Sequence, residues 1–250
     1  MLIKSLAAEW LKMRKSYIWS ILAALPAVSI LIGTANYYAN KSVLTNGWYS
    51  LWTQVSLFYG EFFLPVLIAI CCAYLCRLEH FNKNWYQVMT APVSRSAIFI
   101  SKLAIAGIMM LIVQAFFLLL YFCAGKALGL ASPFPIETVG WMSRGLYASI
   151  AISAVQLALS IRIRSFAVPI GISICAAFIG LGMYVMKLGM FYPYSLLTIG
   201  IGALSQESLT IAENGLFLAM NSLFIVIVSA IAIRYLSKRD VVACYLSHDI

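Results

Sequence analysis

The chain reads as an all-α integral membrane protein with six transmembrane helices. Six apolar segments are each long enough to cross a bilayer core, which takes about 20 residues. Of the 250 residues, 63% are hydrophobic and only 10% charged, with a mean hydropathy of +0.95; a soluble domain needs more charge on its surface. The alternation of a membrane β-barrel is absent, and backbone groups in lipid must bond within their own segment. The predicted spans are 17–35, 57–76, 103–125, 139–161, 166–186 and 215–233.

Residues 1–16 precede the first span as an amphipathic helix in the membrane interface. At about 100° per residue, Leu2, Ile3, Leu6, Trp10, Met13 and Tyr17 share one face, with Lys4, Lys12 and Lys15 opposite. Such a stripe backed by lysines suits the headgroup boundary, and the segment is open to two readings: a lead-in that anchors the first span, or a coupling element. It does not read as a cleaved signal peptide, because charges run through it and no small-residue cleavage site follows an apolar core. Pro26 inside the first span predicts a kink.

Asn36–Ser56 reads as an outer loop rich in aromatics: Tyr37, Tyr38, Trp48, Tyr49 and Trp52. Rings of this kind settle at the membrane–water boundary, so anchoring is the default and contact with a substrate the alternative. The second span, 57–76, carries Glu61 near its outer end. Arg77–Lys102 is the longest inner connection. In it Phe81, Trp85, Val88 and Met89 fall at helical spacing, and Pro92 closes the run, so 79–92 reads as a short amphipathic helix. Its apolar face needs either the headgroup layer or a groove on a partner protein.

After the third span, Ala131–Thr138 is a short outer loop with Pro133 and Pro135. The fourth span holds Arg144, and Arg162–Ser165 is a tight inner turn. Lys187–Asn214 is a semi-apolar outer segment that either lies along the outer leaflet or dips into it. The tail after Ile233 is short.

The net charge of +9 is not a nucleic-acid footprint. An even number of spans puts both termini on one side. Of the 17 Lys and Arg, all but Lys41, Lys126, Lys187 and Arg144 then fall on that side. This bias predicts cytoplasmic termini, and the basic residues meet anionic lipid. Of the six cysteines, Cys71, Cys72, Cys76, Cys123 and Cys175 lie in or at spans and Cys244 in the tail, so no disulfide framework is expected.

Charged groups inside spans are costly and often functional. Glu61 and Arg144 lie at similar depth, each about one turn inside the outer end. They are candidates for an intramembrane pair, within one chain or across a dimer, or for the lining of a pathway; otherwise each snorkels to the headgroups. Gln114, Gln156 and Asn221 suit interhelical hydrogen bonds. No metal site and no catalytic residue is expected. The two histidines, His80 and His248, lie outside the spans, so neither H-E-x-x-H nor a membrane-embedded Ser–His pair is present.

The inner connection carries Glu79, Trp85, Pro92 and Lys102 in the form E-x5-W-x6-P-V-S-R-x6-K. This resembles the cytoplasmic loop of ABC-2-type permeases, the membrane subunits of bacterial ABC exporters. The flanking organisation is similar as well: Glu9-Trp10-Leu11-Lys12 lies in the first helix and Phe62-Phe63-Leu64-Pro65 in the second span. Within that group the chain is most similar to permeases of lantibiotic-immunity and peptide-antibiotic-resistance exporters.

The resemblance implies a single permease domain over 1–250 in the bacterial cytoplasmic membrane. It implies that 79–92 is a coupling helix seated in a cleft of a cytoplasmic ABC ATPase, present in two copies. Phe81, Trp85 and Met89 would be its apolar knobs, Glu79, Lys83 and Arg95 its polar register, and Pro92 its close; Leu6, Trp10 and Met13 would seat the interfacial helix. A second permease chain, identical or a paralogue, is implied, and the cargo would be an antimicrobial peptide or another hydrophobic compound. ATP and Mg would be bound by the ATPase, because this chain has no G-x-x-x-x-G-K-[ST] loop: Gly125-Lys126 is followed by Ala127. A membrane anchor or sensor that recruits a cytoplasmic ATPase without transport is the alternative from another class.

Overall fold

The computed structural model describes residues 2–14, 16–81, 85, 93–206 and 209–238. Among these residues the chain is helical and contains no strand. The helices are α1 (Leu2–Arg14), α2 (Ile18–Ala39), α3 (Gly47–Phe58), α4 (Leu64–His80), α5 (Arg95–Ala127), α6 (Glu137–Arg162), α7 (Ala167–Val185), α8 (Pro193–Ile201) and α9 (Ile211–Lys238). A π-helical turn, Tyr59–Phe63, joins α3 to α4 without a break. Six helices among the described residues are long and apolar enough to cross a membrane, the α3–α4 rod counting as one. One end of the bundle holds α1, the last turn of α4 and the close of α9. The opposite end holds the α2–α3 and α5–α6 connections.

The rod Gly47–His80 is longer than the predicted span 57–76, and it absorbs much of the expected outer loop. Its two tryptophans are core residues rather than surface anchors. Trp48 and Trp52 are 1% and 0% exposed, and their indole N–H groups donate to Ser132 O at 2.9 Å and Ile201 O at 3.2 Å. A buried indole is stable only when that polar end finds an acceptor. Of the three remaining rings in the segment, Tyr37 is buried, Tyr49 half-buried and Tyr38 exposed. Close packing of α2 on α3 explains the compaction: a Cβ at Gly33 would stand 2.6 Å from Val55 Cα, and Ser29 Oγ donates to Val55 O at 2.8 Å. Small residues of this kind let membrane helices approach.

The π turn has a local cause. Pro65 opens α4 and has no N–H to return to the carbonyl of residue 61. The missing bond falls inside Tyr59–Phe63, where the ladder widens by one residue. Helix α2, by contrast, continues through its own Pro26. Helix α5 is capped by Ser94, whose Oγ accepts from Ala97 N at 3.3 Å. Its 33 residues span about 50 Å, more than a hydrocarbon core of about 30 Å.

Between α7 and α9 the chain turns back into the bundle. Lys187 takes a left-handed φ of 61°, a 3-10 turn follows at Gly189–Phe191, and α8 starts beside Gly180, where an added Cβ would lie 2.9 Å from Tyr194 Cβ. Of the two placements open for 187–214, the inward one is therefore found for α8. Every residue of α8 except Ile199 is buried, packed on α6, α7 and the π turn. Gly200 lies against the Arg144 and Gly145 backbone, where a Cβ would sit at 3.1 Å. Gly202, at φ 63°, ends the helix in the left-handed cap that glycine tolerates.

Candidate functional site

The α1 end of the bundle is built around a buried lysine. Lys102, in the second turn of α5, is 0% exposed. A lone ammonium there would cost several kcal/mol, and the fold surrounds it with acceptors. Its three donors go to Glu79 Oε1 at 2.6 Å, Leu75 O at 3.0 Å and Glu9 Oε2 at 3.1 Å. Lys12 closes the set from the rim of α1, reaching Glu9 Oε1 at 2.9 Å and Glu79 Oε1 at 3.2 Å. Two carboxylates and two ammoniums thus tie α1, α4 and α5 into one neutral cluster. Ser5 Oγ and Ser101 Oγ, 2.9 Å apart, add a further α1–α5 contact. Trp19 Nε1 donates to Met13 O at 3.0 Å and holds the end of α1 to α2.

The inner connection leaves α4 from the same place. His80 Nε2 lies 2.8 Å from Ser160 O in the last turn of α6, and Trp85 Nε1 donates to His80 Nδ1 at 3.2 Å. The carbonyl can only accept and the indole can only donate, so the ring carries its proton on Nε2. The Arg77 guanidinium lies 5.1 Å from the Phe81 ring and 5.4 Å from the Phe166 ring. On the far side of the connection, Arg95 Nη1 donates to Ser237 O at 3.1 Å and Arg162 stacks over Tyr235 at 4.6 Å, which fixes the close of α9. The 81–94 connection therefore springs from a platform made of α1, α4, α5, α6 and α9.

This placement changes several sequence expectations. Glu79 is 2% exposed, and its Oε1 is taken within the chain by Lys102 and Lys12. Trp85 is not an open knob; it is 6% exposed, its N–H engaged by His80. Phe81 at 58% exposure and Arg95 do reach the surface. Lys83, Met89 and Pro92 lie outside the described residues. In α1, Met13 is fully buried and Leu6 and Trp10 half-buried, but Ile3 is 83% exposed. The buried edge of α1 runs through Glu9 and Met13 rather than along the whole apolar stripe. In the sequence Glu9 stands only within Glu9-Trp10-Leu11-Lys12, as part of the family resemblance and with no role of its own. Its signal is its position at the flank of that stripe, beside Met13, where a carboxylate needs a cation.

Glu61 and Arg144 are not brought together within the chain. Among the described residues no ion pair within 4.0 Å joins them. Helix α8 lies against both instead: Thr198 faces Glu61, and Gly200 covers the Arg144 backbone. Glu61 is 5% exposed and Arg144 half-buried. Gln114 and Gln156 do bridge helices, to Ser149 Oγ at 3.0 Å and Tyr194 OH at 2.6 Å. Asn221 bonds within its own helix, to Phe217 O at 2.9 Å.

The family model described as ABC-2 family transporter protein matches residues 5–180. That stretch contains the whole charge cluster, the inner connection and the α3–α4 rod. Curated proteins give no match to the chain.

Proposed function

We propose, because the chain belongs to the ABC-2 transporter family and so is a multi-pass membrane permease that partners an ABC ATPase, that it serves an exporter removing amphipathic antimicrobial peptide from the membrane. On this reading the α1 end faces the cytoplasm, two ATPase copies seat on the 81–94 connections of two permease chains, and ATP and Mg are bound by the ATPases. The second permease is a copy of this chain or a paralogue. The bacterial cytoplasmic membrane is the setting, and the benefit to the cell is immunity to the peptide.

The observation that carries this reading is the charge cluster beside the connection. A push on the connection meets Glu79 within two residues of Phe81, and Glu79 is tied through Lys102 and Glu9 to α5 and α1. Motion of an ATPase would therefore move three helices together rather than bend one loop. The residues on this chain that would meet the ATPase are Phe81 and Arg95 with Lys83, Met89 and Pro92, while Trp85 would stiffen the connection from within. Glu61 and Arg144, each against α8, would respond at the other end of the bundle, where the cargo leaves.

The reading is tested on the complex co-expressed from neighbouring reading frames and reconstituted in nanodiscs. ATP hydrolysis should rise on addition of a cationic amphipathic peptide and stay flat with an apolar drug. Hydrolysis indifferent to every cargo would favour a non-transporting sensor; stimulation by the drug alone would move the cargo to a hydrophobic small molecule.

A further inference from the structure

The end of the bundle opposite α1 carries a cleft of about 580 Å³ between the start of α3 and the loop before α6. Ligand pockets commonly fall between about 300 and 1,000 Å³, so this cleft holds a side chain and its neighbours but not a whole folded peptide. Its walls are fixed. Trp48 Nε1 donates to Ser132 O at 2.9 Å across the cleft, Tyr121 OH donates to Trp48 O at 2.8 Å, and Gln206 Nε2 donates to Tyr49 O at 2.7 Å. The Trp48 and Phe134 rings meet edge to face at 5.4 Å, and Pro133 and Pro135 stiffen the opposite lip.

Of the residues that line this cleft, Glu137 alone carries a charge. Its Oε2 accepts from Tyr49 OH at 3.1 Å, a neutral donor that aims the carboxylate without cancelling it. Among the described residues Glu137 takes part in no ion pair within 4.0 Å, and Lys126, at the end of α5, lies over the Phe122 ring at 5.8 Å. A single carboxylate set among Trp, Tyr and Phe rings is the chemistry that receives an organic cation: the acid supplies the counterion and the rings take the flanking apolar groups and the cation's own field.

We propose that this cleft binds an ammonium- or guanidinium-bearing side chain of an amphipathic peptide, with Glu137 as counterion and Tyr49 and Phe134 as its walls. The proposal rests on the exporter reading and deepens it, making the cleft a docking point for cargo at the end away from the ATPase.

The test uses the full chain, without ATPase, in nanodiscs of zwitterionic lipid. The probe is a dye-labelled amphipathic peptide with lysines, compared with the same peptide after lysine acetylation. The wild-type chain should bind the lysine form about tenfold more tightly. Glu137→Gln should abolish that difference. Glu213→Gln, which removes an exposed acid outside the cleft, should retain it. Equal binding of the two peptides by the wild type, or a preference that survives Glu137→Gln, overturns the proposal. The acetylation comparison needs no variant, so a misfolded Glu137→Gln does not rescue it. A separate pull-down of the co-expressed complex keeps the two readings apart: indifference to charge with an ATPase recovered there sinks the cleft alone, and no ATPase recovered there sinks the exporter reading.

Discussion

Lys102 shows how one buried charge can organise a membrane protein. Its burial is tolerated because Glu79, Glu9 and the Leu75 carbonyl meet all three of its donors. Lys102→Met should therefore cost about 3 kcal/mol, since it leaves two buried carboxylates with only the half-buried Lys12 as a cation between them, and should lower the midpoint of thermal unfolding in detergent. Pairing it with Glu79→Gln should recover part of that loss. An unchanged midpoint in the single variant would mean that the cluster is not held as described. Trp52→Phe, which leaves the Ile201 carbonyl without its donor, should cost about 1 kcal/mol. The sequence motif contains Glu79 and Lys102, and the family resemblance assigns Glu79 to the polar register of a coupling helix while giving Lys102 no role. What it could not reveal was the third helix: Glu9 lies 93 residues from Lys102, and only the fold of α1 back onto α5 shows that the acid and the lysine satisfy each other.

Helices were legible where length and hydropathy act together, and obscure where tertiary packing decides. The six long apolar runs are visible because a bilayer demands them. Helix α3 is not, because Asn36–Ser56 mixes polar and aromatic residues; its helical state depends on contacts such as Gly33 against Val55 and the Trp48 ring against Gly125. Helix α8 has nine residues, too few to announce a span, and its depth is set by Gly180 and Gly200. Bulk at Gly200 should expel it. In a cysteine-free background with Ser195→Cys, thiol labelling in native vesicles should be slow, because Ser195 is 0% exposed, and adding Gly200→Val should make it fast. Slow labelling in both would show that α8 does not depend on that close approach.

The molecule as a whole places a stiff platform at one end and an acid-bearing aromatic cleft at the other, with α4, α5 and α6 running between them. If helix α1 travels with α5 during the cycle, fixing their contact should matter little; if the two must slide, it should be fatal. The cluster predicts the first. A disulfide between Ser5→Cys and Ser101→Cys, positions whose Oγ atoms lie 2.9 Å apart, should leave peptide-stimulated ATP hydrolysis within about twofold of the reduced protein, because a contact that does not change costs nothing to lock. The division of labour was half visible beforehand. The inner connection announced itself by motif, but the cleft did not, since its aromatic and acidic walls come from segments about 90 residues apart.

The most direct measurement is a pull-down from membranes of the tagged chain co-expressed with its neighbouring reading frames, run beside a Phe81→Ala, Met89→Ala variant and identified by mass spectrometry. Recovery of an ABC ATPase with the wild type and its loss in the variant is the predicted result. An ATPase that is absent from the wild-type eluate, or retained by the variant, would contradict coupling through the 81–94 connection.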